Sequence, residues 1–142
     1  MYMDYNDLLK GAYPETLQVL QRSKDNALQA LDDAISEVKA YIFRLYDIDS
    51  ELKKTPSDTS RCPFLIKLIR DIAIYNIYLI SSPSQMSESK RLKYEDAIRF
   101  LERVQAQKAF IPDLTPLSDD EKDFGGSYSI HYGSNRRRDN QY

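Results

Sequence analysis

The residues that could do chemistry in this chain are few and stand far apart. His131 is the only histidine and Cys62 the only cysteine, so neither has a second copy with which to build a structural zinc site. A base, a nucleophile and an oxyanion or phosphate cradle must meet in one place for hydrolysis or group transfer. The acidic pairs Asp32 with Asp33 and Asp119 with Asp120 are sequence neighbours, which point apart on a helix or stand in a loop. Gly125 and Gly126 precede neither a Lys-Ser or Lys-Thr pair nor a helix start, so they are not a phosphate loop. The inventory predicts no catalytic residue, no metal, no cofactor and no small-molecule substrate. Cys62 reads as a buried or incidental thiol, and His131 as an ordinary hydrogen-bonding side chain.

Charge gives the same direction. The chain of 142 residues has 20 Lys and Arg against 22 Asp and Glu, a net charge of −2, which offers nucleic acid no overall electrostatic footprint. Its one basic cluster, Arg136, Arg137 and Arg138, is short and would bind phosphates weakly, so acidic groups on a protein partner suit it better. Eleven tyrosines with no tryptophan favour surfaces where an apolar ring and a wet hydroxyl are both useful.

The elements that must position these residues are helical. Asp4 caps a short helix that Gly11 suits to end, and Pro14 opens a second through about Arg22. A long helix over about 26–46 carries Leu28, Leu31, Ile35, Val38, Ile42 and Leu45 at alternating steps of three and four. Residues 47–62 read as a loop. From Pro63 to about Ile80 a helix is apolar on two sides, with Leu65, Leu68, Ile69, Ile72, Ala73 and Leu79 on one. Phe64, Ile74, Tyr75 and Tyr78 form the other, so the helix is central or interfacial. Lys67, Arg70, Asp71 and Asn76 interrupt it, which predicts a core helix rather than a membrane span. No basic, then apolar, leader opens the chain, which predicts a soluble protein made inside the cell. A last helix starts at Ser87 or Ser89 and runs to about Lys108, with Tyr94, Ala97, Ile98, Leu101 and Val104 inward.

The fold class expected is all-α. A small antiparallel bundle of three long helices plus short N-terminal ones occupies residues 1–112, and an extended C-terminal arm occupies 113–142. Phe124, Tyr128, Ile130 and Tyr132 are spaced for strand pairing, and the arm has too few apolar groups to build its own core. A partner interface is therefore expected at Phe64, Tyr75 and Tyr78, together with Phe124, Tyr128, Ile130, Tyr132 and Arg136 to Arg138 of the arm.

Three segments in this order, "AISEVKAYIFRLYDI", "CPFLIKLIRDIAIYNIYLI" and "RLKYEDAIRFLERVQAQKAFIPDL", resemble the Mu-like prophage head–tail connector family over about residues 2 to 114. The likeness lies in Tyr41 and Tyr46 closing one helix, Pro63 opening the next with Asp71-Ile72-Ala73-Ile74-Tyr75, and Tyr94, Ala97 and Leu101 in the last. The chain departs from the family where Leu45 replaces an arginine, Asp47 and Asp49 replace prolines, and Gln107 or Lys108 stands near a usual glycine. The resemblance implies a non-catalytic head-completion or adaptor protein, whose copies form a ring between portal and tail. Its partners would be itself, the portal and tail-completion proteins, and its place the virion, or the host cytoplasm during assembly. The competing reading is a small helical regulatory module that binds protein or nucleic acid. No membrane partner is expected.

Overall fold

The computed structural model describes residues 1–10 and 12–117; Gly11 and the segment 118–142 lie outside the described residues. Helices and their connections account for this part of the chain, and no β-strand occurs among the described residues. Asp4 accepts the Asp7 N–H and Asp7 reaches back to the Asp4 N–H, a reciprocal cap that starts α1, Tyr5–Leu9. Pro14 sits at the first position of α2, Pro14–Arg22, where its missing N–H costs nothing. Ser23 caps α3, Lys24–Ile42. Asp47 caps α4, Ile48–Leu52, a short helix inside the stretch expected to be a loop. Pro63 opens α5, Pro63–Ser81, and Ser87 caps α6, Glu88–Gln105.

Helix α5 is the hub, packing most extensively on α3 and next on α6, while α1 is tied near its start through Asp7 and Arg61 and α2 near its end through Thr16 and Tyr78. Its ring contacts give the direction: Phe64 meets Phe100 and Tyr75 meets Tyr94, so α5 and α6 run antiparallel. Glu37 of α3 reaches Tyr94 of α6. The core face of α3 is built on Ala27, Ala30 and Ala34 with Leu31, Val38 and Ile42, and the alanines let α5 approach closely. The expected stripe was rotated towards Leu28 and Ile35. Ile35, like Ile98 of α6, is only partly buried at the edge of the core. On α5 the buried set is Leu65, Leu68, Ile69, Ile72, Ala73, Ile77 and Tyr78. Leu79, expected to be inward, is 49% exposed, because 3.6 residues per turn carry the inner face to 77 and 78. No helix among the described residues is long and apolar enough to cross a membrane.

Helix α6 ends in a tight reversal. The Lys108 N–H donates to the Arg103 carbonyl at 2.8 Å and the Gln107 N–H to the Val104 carbonyl at 2.9 Å, the paired bonds of a Schellman cap. Gln107 takes φ 61°, a left-handed position that favours glycine.

The chain then returns to the bundle. Ile111 and Leu114 are buried, the Asp47 N–H donates to the Thr115 carbonyl at 2.9 Å, and the Leu117 N–H donates to the Leu45 carbonyl at 3.0 Å. Tyr46 and Pro116 form an isolated antiparallel bridge. Residues 113–117 thus pack with the body, although the sequence placed them in the arm.

Candidate functional site

The described residues hold two features that could serve an interaction protein: a row of half-buried aromatic side chains along α5 and α6, and a buried polar knot that fixes the N-terminus. Phe64 and Phe100 pack edge to face, 5.0 Å between centroids at 65°. One turn of α5 after another brings Tyr75 against Tyr94, stacked at 3.9 Å and 11°. The Tyr94 hydroxyl donates to Glu37 Oε2 at 3.4 Å. Burial, then the neighbouring Glu37 carboxylate, pushes the Tyr94 hydroxyl above its ordinary pKa. Tyr41 is raised as well, by burial first and then by Glu102 and Glu37. Both phenols therefore stay protonated and available as donors at neutral pH.

Of the interface residues expected from sequence, Phe64 and Tyr75 are half-buried and part of this row. Tyr78 is not at the surface. It is 1% exposed, its hydroxyl shares a hydrogen bond with Thr16 Oγ1 at 3.1 Å, and the Lys90 ammonium lies 4.7 Å from its ring centre. Tyr78 thus holds α2 and the start of α6 onto α5 and presents nothing to a neighbour, contrary to the sequence expectation. Phe124, Tyr128, Ile130, Tyr132, Arg136, Arg137 and Arg138 lie outside the described residues, as does His131. The large apolar side chains that do face outward are others: Tyr13, Phe43, Leu79, Ile80, Leu92 and Phe110, the last 78% exposed. Periodicity could not find them, because an exposed apolar residue carries the same letter as a buried one.

The polar knot escaped sequence reading altogether. Tyr2 and Met3 are buried ahead of α1, and the Tyr2 hydroxyl donates to Glu51 Oε1 at 2.6 Å. The same oxygen accepts the Cys62 N–H at 2.8 Å, and Lys54 Nζ donates to Glu51 Oε2 at 2.7 Å. Arg61 Nη1 donates to Asp7 Oδ2 at 2.9 Å and to the Tyr2 carbonyl at 3.1 Å. Burial alone would raise the Asp7 carboxyl, but Arg61, Lys10 and the capping N–H outweigh it and hold the group at about 2. Glu51 is likewise lowered, its burial overcome by Lys54, Tyr2 and the Cys62 N–H. Burial and the Glu51 carboxylate push the Tyr2 hydroxyl far up. Each buried charge has an opposite charge or several donors, the condition under which such groups are tolerated. Cys62 is buried, as expected, and its thiol donates to the Pro112 carbonyl at 3.2 Å. What the knot does chemically is clamp: it fastens the N-terminus, the α4 region and the start of α5 together at one end of the bundle.

Comparison with known proteins adds one identification. No curated protein and no solved structure matches the chain. Residues 2–123 match the family described as Bacteriophage Mu, Gp36, which spans the whole helical body and the first residues beyond it. The chain therefore belongs to the bacteriophage Mu Gp36 family and is a Mu-like phage protein.

Proposed function

We propose that this protein is a structural component of a Mu-like phage particle, a head–tail connector whose copies form a ring between the portal and the tail. The observation that carries this reading is the family match over residues 2–123, which takes in all six helices. The surface supports it in physical terms. A ring needs one patch to meet a different patch on the next copy, with apolar area left over after the core is filled. Tyr13, Phe43, Leu79, Ile80, Leu92 and Phe110 provide such area on a chain whose core is already complete. The aromatic row of Phe64, Phe100, Tyr75 and Tyr94 stiffens the α5 and α6 face, so that copies can dock without reordering it. The reading assigns no catalysis: the protein acts by geometry, presenting one surface to the portal and another to tail-completion proteins.

The test is assembly. Purified protein mixed with tail-less heads that carry the portal should sediment with them in a fixed copy number and convert them to tail-accepting particles. Protein that stays unbound in the supernatant, with heads equally infectious before and after addition, would overturn the reading.

A further inference from the structure

A surface cleft of about 140 Å³ lies where the start of α2, the middle of α5 and the first turn of α6 meet. Four cations line it, Lys10, Arg70, Lys90 and Lys93, against two carboxylates, Glu15 and Asp71. Both carboxylates and two of the cations are already engaged, Asp71 with Lys67 at 3.1 Å, Glu15 with Lys90 at 3.6 Å and Lys10 with Asp7 at 3.0 Å, which leaves the charges of Arg70 and Lys93 to face the cleft. Arg70 Nε is buried without a hydrogen-bond partner, and no ion pair among the described residues engages Lys93. The N-terminus of α2 opens beside the cleft with no side-chain cap on Tyr13. Partial positive charge from a helix start then adds to that of the side chains. Such convergence from three helices in a chain of net charge −2 is built to meet an anion.

The volume is below the roughly 300–1,000 Å³ of ordinary small-molecule pockets, so the occupant enters as one or two side chains rather than as a whole ligand. The chain itself carries a matching group. Two residues after Leu117, which is tied to Leu45, begins the run Asp119-Asp120-Glu121. In a ring every copy would deliver this run at the same stoichiometry as the cleft. We propose that the cleft receives the acidic run Asp119 to Glu121 of a second copy, a heterologous contact of the kind that closes rings. The inference deepens the connector reading and rests on it, by naming the cleft as one side of the subunit contact.

A charge swap in the full-length chain tests it. Self-association is measured by sedimentation equilibrium over a concentration series at low and high salt. Lys93→Glu alone, and Asp119→Lys with Asp120→Lys alone, should each raise the dissociation constant about tenfold, since each turns an attraction into a repulsion. The two sets combined should return it to within about threefold of wild type, and Lys93→Gln should fall between. High salt should weaken the wild type and the swapped chain alike. Self-association that survives Lys93→Glu, or single variants that the swap does not rescue, would overturn the cleft proposal and leave the connector reading standing. A short single-stranded DNA held by the cleft and released by Lys93→Glu, without any change in association, would assign it to phosphate instead and also overturn the proposal. Failure of the wild type to join portal-bearing heads is the separate result that removes the connector reading.

Discussion

Acid should loosen the N-terminal clamp before it harms the rest of the bundle, and Asp7 sets the scale. Its carboxyl is 3% exposed and held at about 2 in the fold against an ordinary value of 3.8, by Arg61, Lys10 and its cap. A carboxyl lowered on folding stabilises the native state fully above its unfolded value, and that stabilisation is lost as pH falls towards the folded value. At about 1.4 kcal/mol per pKa unit, the drop corresponds to roughly 2 to 3 kcal/mol, present at pH 5 and above and withdrawn between about pH 4 and pH 2. Glu51, lowered by its own donors, adds in the same direction. Asp7→Asn removes the titration and also leaves Arg61, 9% exposed, without its countercharge. The variant should therefore lose about 3 kcal/mol at pH 7, in the range for breaking a buried pair. Its stability should then fall less steeply than wild type below pH 4. Urea unfolding followed by circular dichroism at pH 7, 5, 4, 3 and 2 measures both. Parallel pH profiles for the two proteins would show that Asp7 is not ion-paired in solution, and the account of the clamp would be wrong.

Other substitutions test separate parts of the fold. Ile72→Ala, at a fully buried position of α5, should cost about 2 to 5 kcal/mol in urea unfolding, and a loss below about 1 kcal/mol would place Ile72 outside the core. Gln107→Gly should raise stability by about 1 kcal/mol, because glycine takes the φ of 61° without steric cost; a destabilised variant would contradict the left-handed cap. Leu114→Ala should cost at least about 2 kcal/mol if residues 111–117 are packed against the body, whereas a neutral result would return them to the arm. Deleting residues 124–142 should leave the melting temperature almost unchanged while weakening assembly, and an equally competent truncated protein would make the arm a passive tail.

How far the sequence could be read depended on whether the signal was periodic. The three long helices came with a repeating apolar face, and Pro63 and Ser87 marked the starts of two of them; the Ser23 cap of α3 was not read, and that helix begins two residues earlier than expected. The inner face of α3 was placed one step away because alanine gives a weak hydropathy signal. Here Ala27, Ala30 and Ala34 are the contact because they are small. Helix α4 was hidden by its shortness and its charges, although Asp47 is an ordinary cap. The return of Ile111 to Leu117 had no period at all, since a turn at 112–114 followed by a short stretch that bonds to Leu45 and Asp47 leaves only scattered apolar residues. The clamp was illegible for a different reason. Tyr2 with Glu51 and Asp7 with Arg61 join positions about fifty residues apart, and nothing local marks them as partners. At the candidate interface, Phe64 and Tyr75 were legible as a second apolar face of α5, while Tyr78 was claimed by Thr16 and Lys90 from elements that the helix's own pattern does not contain.

The central claim is that this member of the Mu Gp36 family is a ring-forming connector, and the most direct measurement is electron cryo-microscopy of purified particles from a Mu-like phage that encodes it. The account predicts density for the six-helix body repeated around the portal axis, with the cleft of one copy facing the chain of the next beyond Leu117. Complete, infectious particles that contain no copy of the protein at the head–tail junction would contradict it.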